Sequence, residues 1–196
     1  TKMIEKYIAK TIDCDCGKTH VSKVEKIVIQ EGVIENQLID FIKANSYKKI
    51  TLVCDLKGKK IAGDRAFNAI KNAGVNVKMH LFTDEYLVPD ERSVGNLIMG
   101  AYQDGDLFLA VGSGVVNDLT RYVSAVKGVP FITVGIAPSM DGYISAGSAL
   151  IYNSLKLTFE THAPKAVFFE PSILSNAPLD MIGAGVGDLL GKISCL

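Results

Sequence analysis

The sequence predicts an α/β protein built on a doubly wound, mostly parallel sheet, and three observations carry that expectation. Five short apolar runs alternate with four helix-compatible segments between Lys26 and Val134, the rhythm of strands joined by crossover helices. One run, Leu107 to Val111, stops at the small-residue turn Gly112-Ser113-Gly114, and a helix-compatible segment then runs from Val115 to about Lys127. The rhythm breaks after Asp141, which predicts an insertion in place of another repeat of the unit.

Residues 1–25 are polar and irregular. Cys14, Cys16 and His20 offer three soft ligands of the kind zinc takes. Their Cys-x-Cys spacing is shorter than in the usual structural site and a fourth ligand is missing, so a plain hairpin turning at Gly17 is the preferred reading. Residues 26–30 form a short strand. Residues 34–44 set Ile34, Leu38, Phe41 and Ile42 on one helical face. Residues 49–54 are a strand whose Cys54 belongs to the core. Residues 61–73 form a helix that packs through Ile61, Ala62, Ala66, Ala69 and Ile70 and closes near Gly74, its C-cap. A strand over Asn76–Phe82 holds His80 as a packed or edge residue, and residues 91–103 form a helix with Val94, Leu97, Ile98 and Ala101 inward. The central strand, its helix and the strand 131–134 follow. Residues 148–152 and 155–159 are apolar runs joined by Asn153-Ser154, a β-hairpin insertion with His162 exposed beside it. Residues 165–169 read as another strand, ended by Pro171. From Leu179 the chain is helical through Met181, Ile182, Val186, Leu189 and Leu190.

Composition limits the function classes. The 196 residues hold one large or two small domains, and 48% hydrophobic residues suffice for a substantial core. Lys+Arg and Asp+Glu are equal at 21 each, which removes the usual electrostatic case for nucleic acid or an anionic membrane. A small anionic substrate needs only a local site. No apolar run approaches ~20 residues, so no membrane span is expected. The first residues do not read as a signal peptide, and a cytoplasmic protein is expected. The four cysteines, Cys14, Cys16, Cys54 and Cys195, do not read as a disulfide scaffold.

The glycine turn is a candidate phosphate site. Glycine lets the backbone approach a phosphate and adopt positive φ, and a new helix presents unpaired N–H groups and a positive dipole end to an anion. The full dinucleotide fingerprint is absent because no third glycine follows at the required offset. Strand 131–134 ends in a second small polar loop that carries Ser139, Asp141 and Ser145. In an open parallel sheet, ligands lie outside the carboxyl ends of the strands, so both loops face one crevice. Asp55 also ends a strand, where a carboxylate accepts from ribose hydroxyls or caps the following helix. Lys57, Lys59 and Lys60 follow it, either to receive a 2′-phosphate or as solvated loop lysines, so NAD and NADP both stay open. Asp118 is expected to serve the first helical turn.

Ala-Pro-Ser-Met-Asp-Gly-Tyr-Ile-Ser at 137–145, preceded by Gly-Ser-Gly at 112–114 and followed by Gly-Val-Gly-Asp-Leu-Leu-Gly-Lys at 185–192, resembles the bacterial sn-glycerol-1-phosphate dehydrogenase family. That family sits within the glycerol dehydrogenase, iron-containing alcohol dehydrogenase and dehydroquinate synthase superfamily. The resemblance covers nearly the whole chain and implies a Rossmann-like NAD(P)-binding domain over residues 1–172. Residues 173–196 would be the first helix of a truncated all-α, metal-binding domain, with Met181, Ile182, Leu189 and Leu190 partly unburied and Asp188 not held in place. It implies cofactor contacts at Asp55, at Gly112, Ser113, Gly114, Val115 and Val116, at Ile136, Ala137, Pro138 and Ser139, and at Ser145. Ile136 departs from the threonine frequent in relatives. Asp141 matches a substrate-binding aspartate, and a buried carboxylate selects for a polyol's hydroxyls. Asp188 matches an aspartate that binds substrate and ligates a divalent metal (zinc, nickel or iron) together with two later histidines.

The implied chemistry is hydride transfer between NAD(P) and C2 of dihydroxyacetone phosphate or glycerol 1-phosphate, the metal acting as a Lewis acid. A homodimer is expected. Neither His20, His80 nor His162 follows Asp188, so the chain alone does not complete that metal site. Two alternatives stay open: a glycerol dehydrogenase or dehydroquinate-synthase-like enzyme, and a nucleotide-binding fragment without catalysis.

Overall fold

A computed structural model describes residues 7–194, so Cys195 lies outside the described residues. The strands are β1 (Thr11–Asp13), β2 (Thr19–Val21), β3 (Lys26–Ile29), β4 (Lys49–Asp55), β5 (Asn76–Phe82), β6 (Leu107–Gly112), β7 (Phe131–Gly135), β8 (Gly147–Tyr152), β9 (Leu155–Glu160) and β10 (Ala166–Phe169). The helices are α1 (Gln37–Ala44), α2 (Leu56–Gly58), α3 (Asp64–Asn72), α4 (Glu91–Gly100), α5 (Gly114–Lys127), α6 (Pro171–Ser175) and α7 (Leu179–Ile193). Six strands make the central sheet in the order β3-β10-β7-β6-β4-β5, and every pairing in it is parallel. The five-strand alternation is therefore present, and residues 165–169 contribute the sixth strand by inserting between β3 and β7.

Strand alternation builds two cores from the same residues. Ile50, Leu52 and Cys54 of β4 and Leu107, Leu109 and Val111 of β6 point to one face, against Ile34, Leu38, Phe41 and Ile42 near α1 and Ala62, Ala66 and Ile70 before and within α3. Val53, Phe108 and Ala110 point to the other face, against Leu97 of α4 and Val116, Leu119 and Val123 of α5. Period-2 side-chain alternation makes such a double layer wherever both faces of a sheet are covered. Burial pushes the Cys54 thiol up to about 12, as suits a core residue.

Several boundaries differ from the sequence reading. The helix placed at 61–73 begins at Leu56, runs through a π-helical turn at Lys59–Gly63 and continues as α3, because Asp55 caps it immediately after β4. Ile61 is consequently 43% exposed instead of packed. Helix α4 stops at Gly100, three residues before the expected end. The hairpin insertion is present as β8–β9, with Asn153 and Ser154 both at positive φ in its two-residue turn, the geometry that matches strand twist. His162 is half-buried, 3.4 Å from Ser124 Oγ and against the Phe131 ring, and is not the exposed residue expected.

His80 is buried in β5, edge-on to Phe82, and its Nε2 has no hydrogen-bond partner among the described residues. Burial, with Lys78 adding to it, lowers its pKa below 6.5. A depressed histidine pKa means that the unfolded chain binds the proton first, so stability falls as pH drops through 6.5. Denaturant midpoints measured at pH 7.5 and 5.5 should show a smaller acid loss in His80→Gln than in the wild type. An equal loss would assign the acid sensitivity elsewhere.

Candidate functional site

The sheet order sets the place of the site. From β4 the chain moves outward to β5, and from β6 it moves the other way to β7. The reversal lies between β4 and β6, and the crevice outside the carboxyl ends of such a strand pair is where open α/β sheets bind ligands. A cleft of about 520 Å³ opens there, lined by Asp55, Lys57, Ser113, Ile136 and Ala137 and by Ile173, Pro178 and Met181 among others. A second hollow of about 340 Å³ shares Asp55, Lys57 and Ser113 with it and reaches Val115.

At the head of α5 the backbone is prepared for an anion. Ser113 is the N-cap, and its side chain makes no capping hydrogen bond. The first intrahelical bond runs from the Asn117 N–H to the Ser113 carbonyl, so the N–H groups of the first turn have no helical partners. This end of the 14-residue helix borders the hollows through Ser113 and Val115, and the helix dipole favours negative charge there. The Val116 side chain is only 1% exposed and packs in the core; what residue 116 can offer a ligand is its backbone.

The glycines of this turn serve close packing, not left-handed backbone. Positive φ occurs at Gly17, Gly32, Gly74 and Gly128 but not at Gly112 or Gly114, which corrects the positive-φ expectation. A Cβ built on Gly112 would stand 2.6 Å from Val116 Cβ. Glycine at 112 lets the first turn of α5 fold back over the end of β6.

Asp55 combines the two roles that the sequence left open. Its Oδ1 accepts from the Gly58 N–H at 2.6 Å as the helix N-cap, and the residue lines the cleft. Of the three lysines, Lys59 is paired with Asp64 at 2.7 Å, whereas Lys57 lines both hollows.

The second loop is fixed from below by a residue that sequence reasoning missed. Arg121, fully buried on α5, donates to the carbonyls of Gly142 at 2.6 Å and Gly147 at 2.7 Å and pairs with Asp118 at 2.7 Å. Asp118 therefore answers a residue one turn along the helix, not the first turn as expected. Burial pushes its carboxyl up to about 6 against the pull of Arg121. Tyr143 is buried as well, and its hydroxyl donates to the Ala137 carbonyl at 2.7 Å. The signal available in the sequence was an Asp-x-x-Arg pair on the apolar side of a helix, which marks a buried ion pair only once the facing carbonyls are known. The Ser145 hydroxyl is turned to the Gly147 carbonyl at 3.1 Å.

Asp141 and Asp188 meet across the loop and α7. The Asp141 N–H donates to Asp188 Oδ2 at 3.0 Å, and Lys192 Nζ lies 2.6 Å from Asp141 Oδ2. The Asp141 backbone bond, with Lys192 adding to it, holds the Asp188 carboxyl below its ordinary value. Asp188 is exposed but has this backbone partner, and α7 approaches the loop at Gly185. A Cβ at that position would fall 1.9 Å from the Pro138 carbonyl oxygen, so only glycine permits the approach. The rest of α7 is as open as expected, with Leu189 and Leu190 each 59% exposed. Neither Asp141, Ser145 nor Asp188 belongs to the wall of the 520 Å³ cleft; Asp141 and Ser145 lie further along the same loop, and Asp188 meets Asp141 from α7.

A family model described as iron-containing alcohol dehydrogenase matches residues 28–178. The chain belongs to the iron-containing alcohol dehydrogenase family. Among curated proteins it is similar to the glycerol-1-phosphate dehydrogenase (NAD(P)+) of Bacillus licheniformis, 37% identical over 97% of this chain and 48% of that protein. It is 36% identical to the protein of the same name from Bacillus subtilis, over 91% of this chain and 46% of that one. The chain spans about half the length of the curated relatives it matches. Among solved structures it resembles glycerol dehydrogenase from Schizosaccharomyces pombe, with a TM-score of 0.75, 18% identity and 85% of this chain against 42% of that one. It also resembles 2-deoxy-scyllo-inosose synthase complexed with carbaglucose-6-phosphate, NAD+ and Co2+, with a TM-score of 0.70 and 20% identity over 90% of this chain and 49% of that one. These likenesses establish an iron-containing alcohol dehydrogenase fold. Among the described residues no helix is long and apolar enough to cross a membrane.

Proposed function

We propose that this chain is the nucleotide-binding half of an NAD(P)-dependent sn-glycerol-1-phosphate dehydrogenase that interconverts dihydroxyacetone phosphate and glycerol 1-phosphate. Residues 1–172 form the NAD(P)-binding domain, and residues 173–196 begin a helical domain. The observation that carries this reading is the uncapped head of α5, which opens into a cleft at the strand-order reversal beside Asp55. The curated relatives' names supply the substrate class.

The cofactor fits the residues present. The first-turn N–H groups of α5 take the pyrophosphate, Asp55 keeps one oxygen for a ribose hydroxyl, and Ile136 and Ala137 give an apolar wall. Lys57, which lines both hollows, would meet a 2′-phosphate. Bound nicotinamide supplies the hydride acceptor or donor, and the chain's part is to fix the cofactor's orientation. Asp141, further along the loop, and Asp188, on α7, would offer carboxylate oxygens to a polyol. A metal site at Asp188 is not completed by this chain: His80 is buried in β5, and His20 and His162 lie on other segments. Asp188 would offer one carboxylate ligand, and the rest of such a site would have to come from elsewhere in a longer protein.

Calorimetric titration of the 196-residue chain with NADH and with NADPH should show weak, saturable binding, while turnover of dihydroxyacetone phosphate stays undetectable with added zinc, nickel or iron. If neither cofactor binds at millimolar concentration, the cleft is not a nucleotide site. Turnover by this chain would overturn the assignment of Asp188 to an incomplete metal site.

A further inference from the structure

Cys14, Cys16 and His20 play no part in the cleft. They sit on the β1–β2 hairpin, where Ile12 pairs with His20 and Asp13 with Thr19. Gly17, at φ +79°, reverses the chain. Its N–H donates to the Cys14 carbonyl at 2.9 Å, and the Cys14 N–H donates to the Lys18 carbonyl at 3.1 Å. This turn folds both thiols back toward the histidine strand. The ligand atoms of all three side chains lie within 4.8 Å of one another, and Cys16 Sγ is 3.3 Å from His20 Nε2.

Those spacings are close to what a tetrahedral ion needs. Bonds of about 2.3 Å to sulfur and about 2.0 Å to nitrogen set tetrahedral sulfur–nitrogen neighbours about 3.5 Å apart and sulfur–sulfur neighbours about 3.8 Å apart. The Cys16–His20 edge, at 3.3 Å, is already close to the sulfur–nitrogen length. The other two need at most about 1.3 Å of contraction, within reach of side-chain rotation at exposed positions.

The hairpin has little else to hold it. Each strand is three residues long, and of the six side chains only Ile12 is partly covered. An isolated two-stranded hairpin is marginal in water, and a metal cross-link is one of the few devices that stabilise so small an element. Two exposed thiols and an imidazole contribute nothing to packing, so their convergence is explained by a ligand.

We propose that Cys14, Cys16 and His20 bind one thiophilic divalent cation, zinc in kind, in a surface site that staples the hairpin and leaves the fourth coordination place to water. On binding, both thiols release their protons to buffer and the imidazole coordinates as the neutral ring, so affinity rises with pH.

The test is a titration of the 196-residue chain with cobalt(II) in a reducing buffer, followed by zinc. One equivalent of cobalt should give thiolate-to-metal charge-transfer absorption that zinc bleaches, and zinc should slow amide exchange across residues 9–24. Cys14→Ser/Cys16→Ser should abolish both effects. His20→Ala should weaken binding by more than about 10-fold, the scale on which even outer-shell groups act. Asp188→Asn should leave the absorption unchanged, which separates this site from any metal bound at α7. The hairpin lies outside the six-stranded sheet, so unchanged far-ultraviolet circular dichroism in each variant excludes global unfolding as the cause. Absence of the charge-transfer band in the wild type, or a band of equal strength in the double serine variant, would overturn the proposal.

Discussion

Arg121→Met is expected to cost about 3–5 kcal/mol of stability, the scale for removing one partner of a buried ion pair, and to loosen the loop that carries Asp141 and Ser145. The guanidinium is fully buried and satisfies the carbonyls of Gly142 and Gly147 as well as Asp118. Methionine fills a comparable volume but takes the charged donor away from two carbonyls and from a largely buried carboxylate, which keep the Ser145 hydroxyl at Gly147, the Ser145 N–H at Gly142 and the Ala149 backbone at Asp118. The pH dependence identifies the mechanism. In the wild type the folded-state pKa of Asp118 is already raised to about 6, above that of a free aspartate at about 3.9. The stability linked to its protonated form is therefore full below about 3.9 and lost as pH rises through about 6. Without Arg121 the carboxyl is raised further. The folded variant then holds its proton over a pH range where the folded wild type has released it, and the penalty shrinks as pH falls from 8 to 5. Urea midpoints at those two values for Arg121→Met and for Arg121→Met/Asp118→Asn provide the measurement. A penalty that does not change with pH would show that lost packing, not the unpaired carboxylate, dominates.

The α/β alternation was legible because the buried strands are continuous apolar runs and their helices carry one apolar face. The β8–β9 hairpin was legible because Asn153 and Ser154 are turn residues between two short strand runs. The insertion of β10 between β3 and β7 was not, since pairing order depends on which crossovers fit and leaves no mark on local periodicity. Helix boundaries failed where one contact overrode propensity: the Asp55 cap starts a helix five residues before the apolar pattern does. Within the site, the position of the glycine turn followed from residue types, but its physical reason did not. Gly112 and Gly185 are required by the Val116 side chain and the Pro138 carbonyl, both contacts made only in three dimensions. Arg121 was invisible for the same cause, because its acceptors lie on a loop more than twenty residues away.

Gly112→Val should reduce NADH and NADPH binding by on the order of 100-fold, the scale of displacing a binding group by about 1 Å, and should destabilise the fold by about 1–3 kcal/mol through overpacking. The new Cβ would stand 2.6 Å from Val116 Cβ, and Val116 has no room to retreat because it is part of the core between β6 and α5. Relief must come from the end of β6 or from the first turn of α5, and the latter carries the N–H groups assigned to the pyrophosphate. A smaller change shows whether contact or backbone conformation is the cause. Gly112→Ala introduces the same Cβ without branching, at a φ that an L residue adopts freely. If the contact decides, Val116→Gly should restore binding to Gly112→Ala, since it removes the three atoms nearest the new Cβ, at a cost of about 1 kcal/mol in helix propensity and about 2 kcal/mol more for the buried side chain it deletes. Calorimetric titration of the two single variants and the double variant completes the cycle. A folded double variant that binds no better than Gly112→Ala alone would mean that phosphate approach itself requires glycine at 112. The first turn of α5 would then contact the cofactor through residue 112 directly, not through N–H groups that Gly112 merely allows into position.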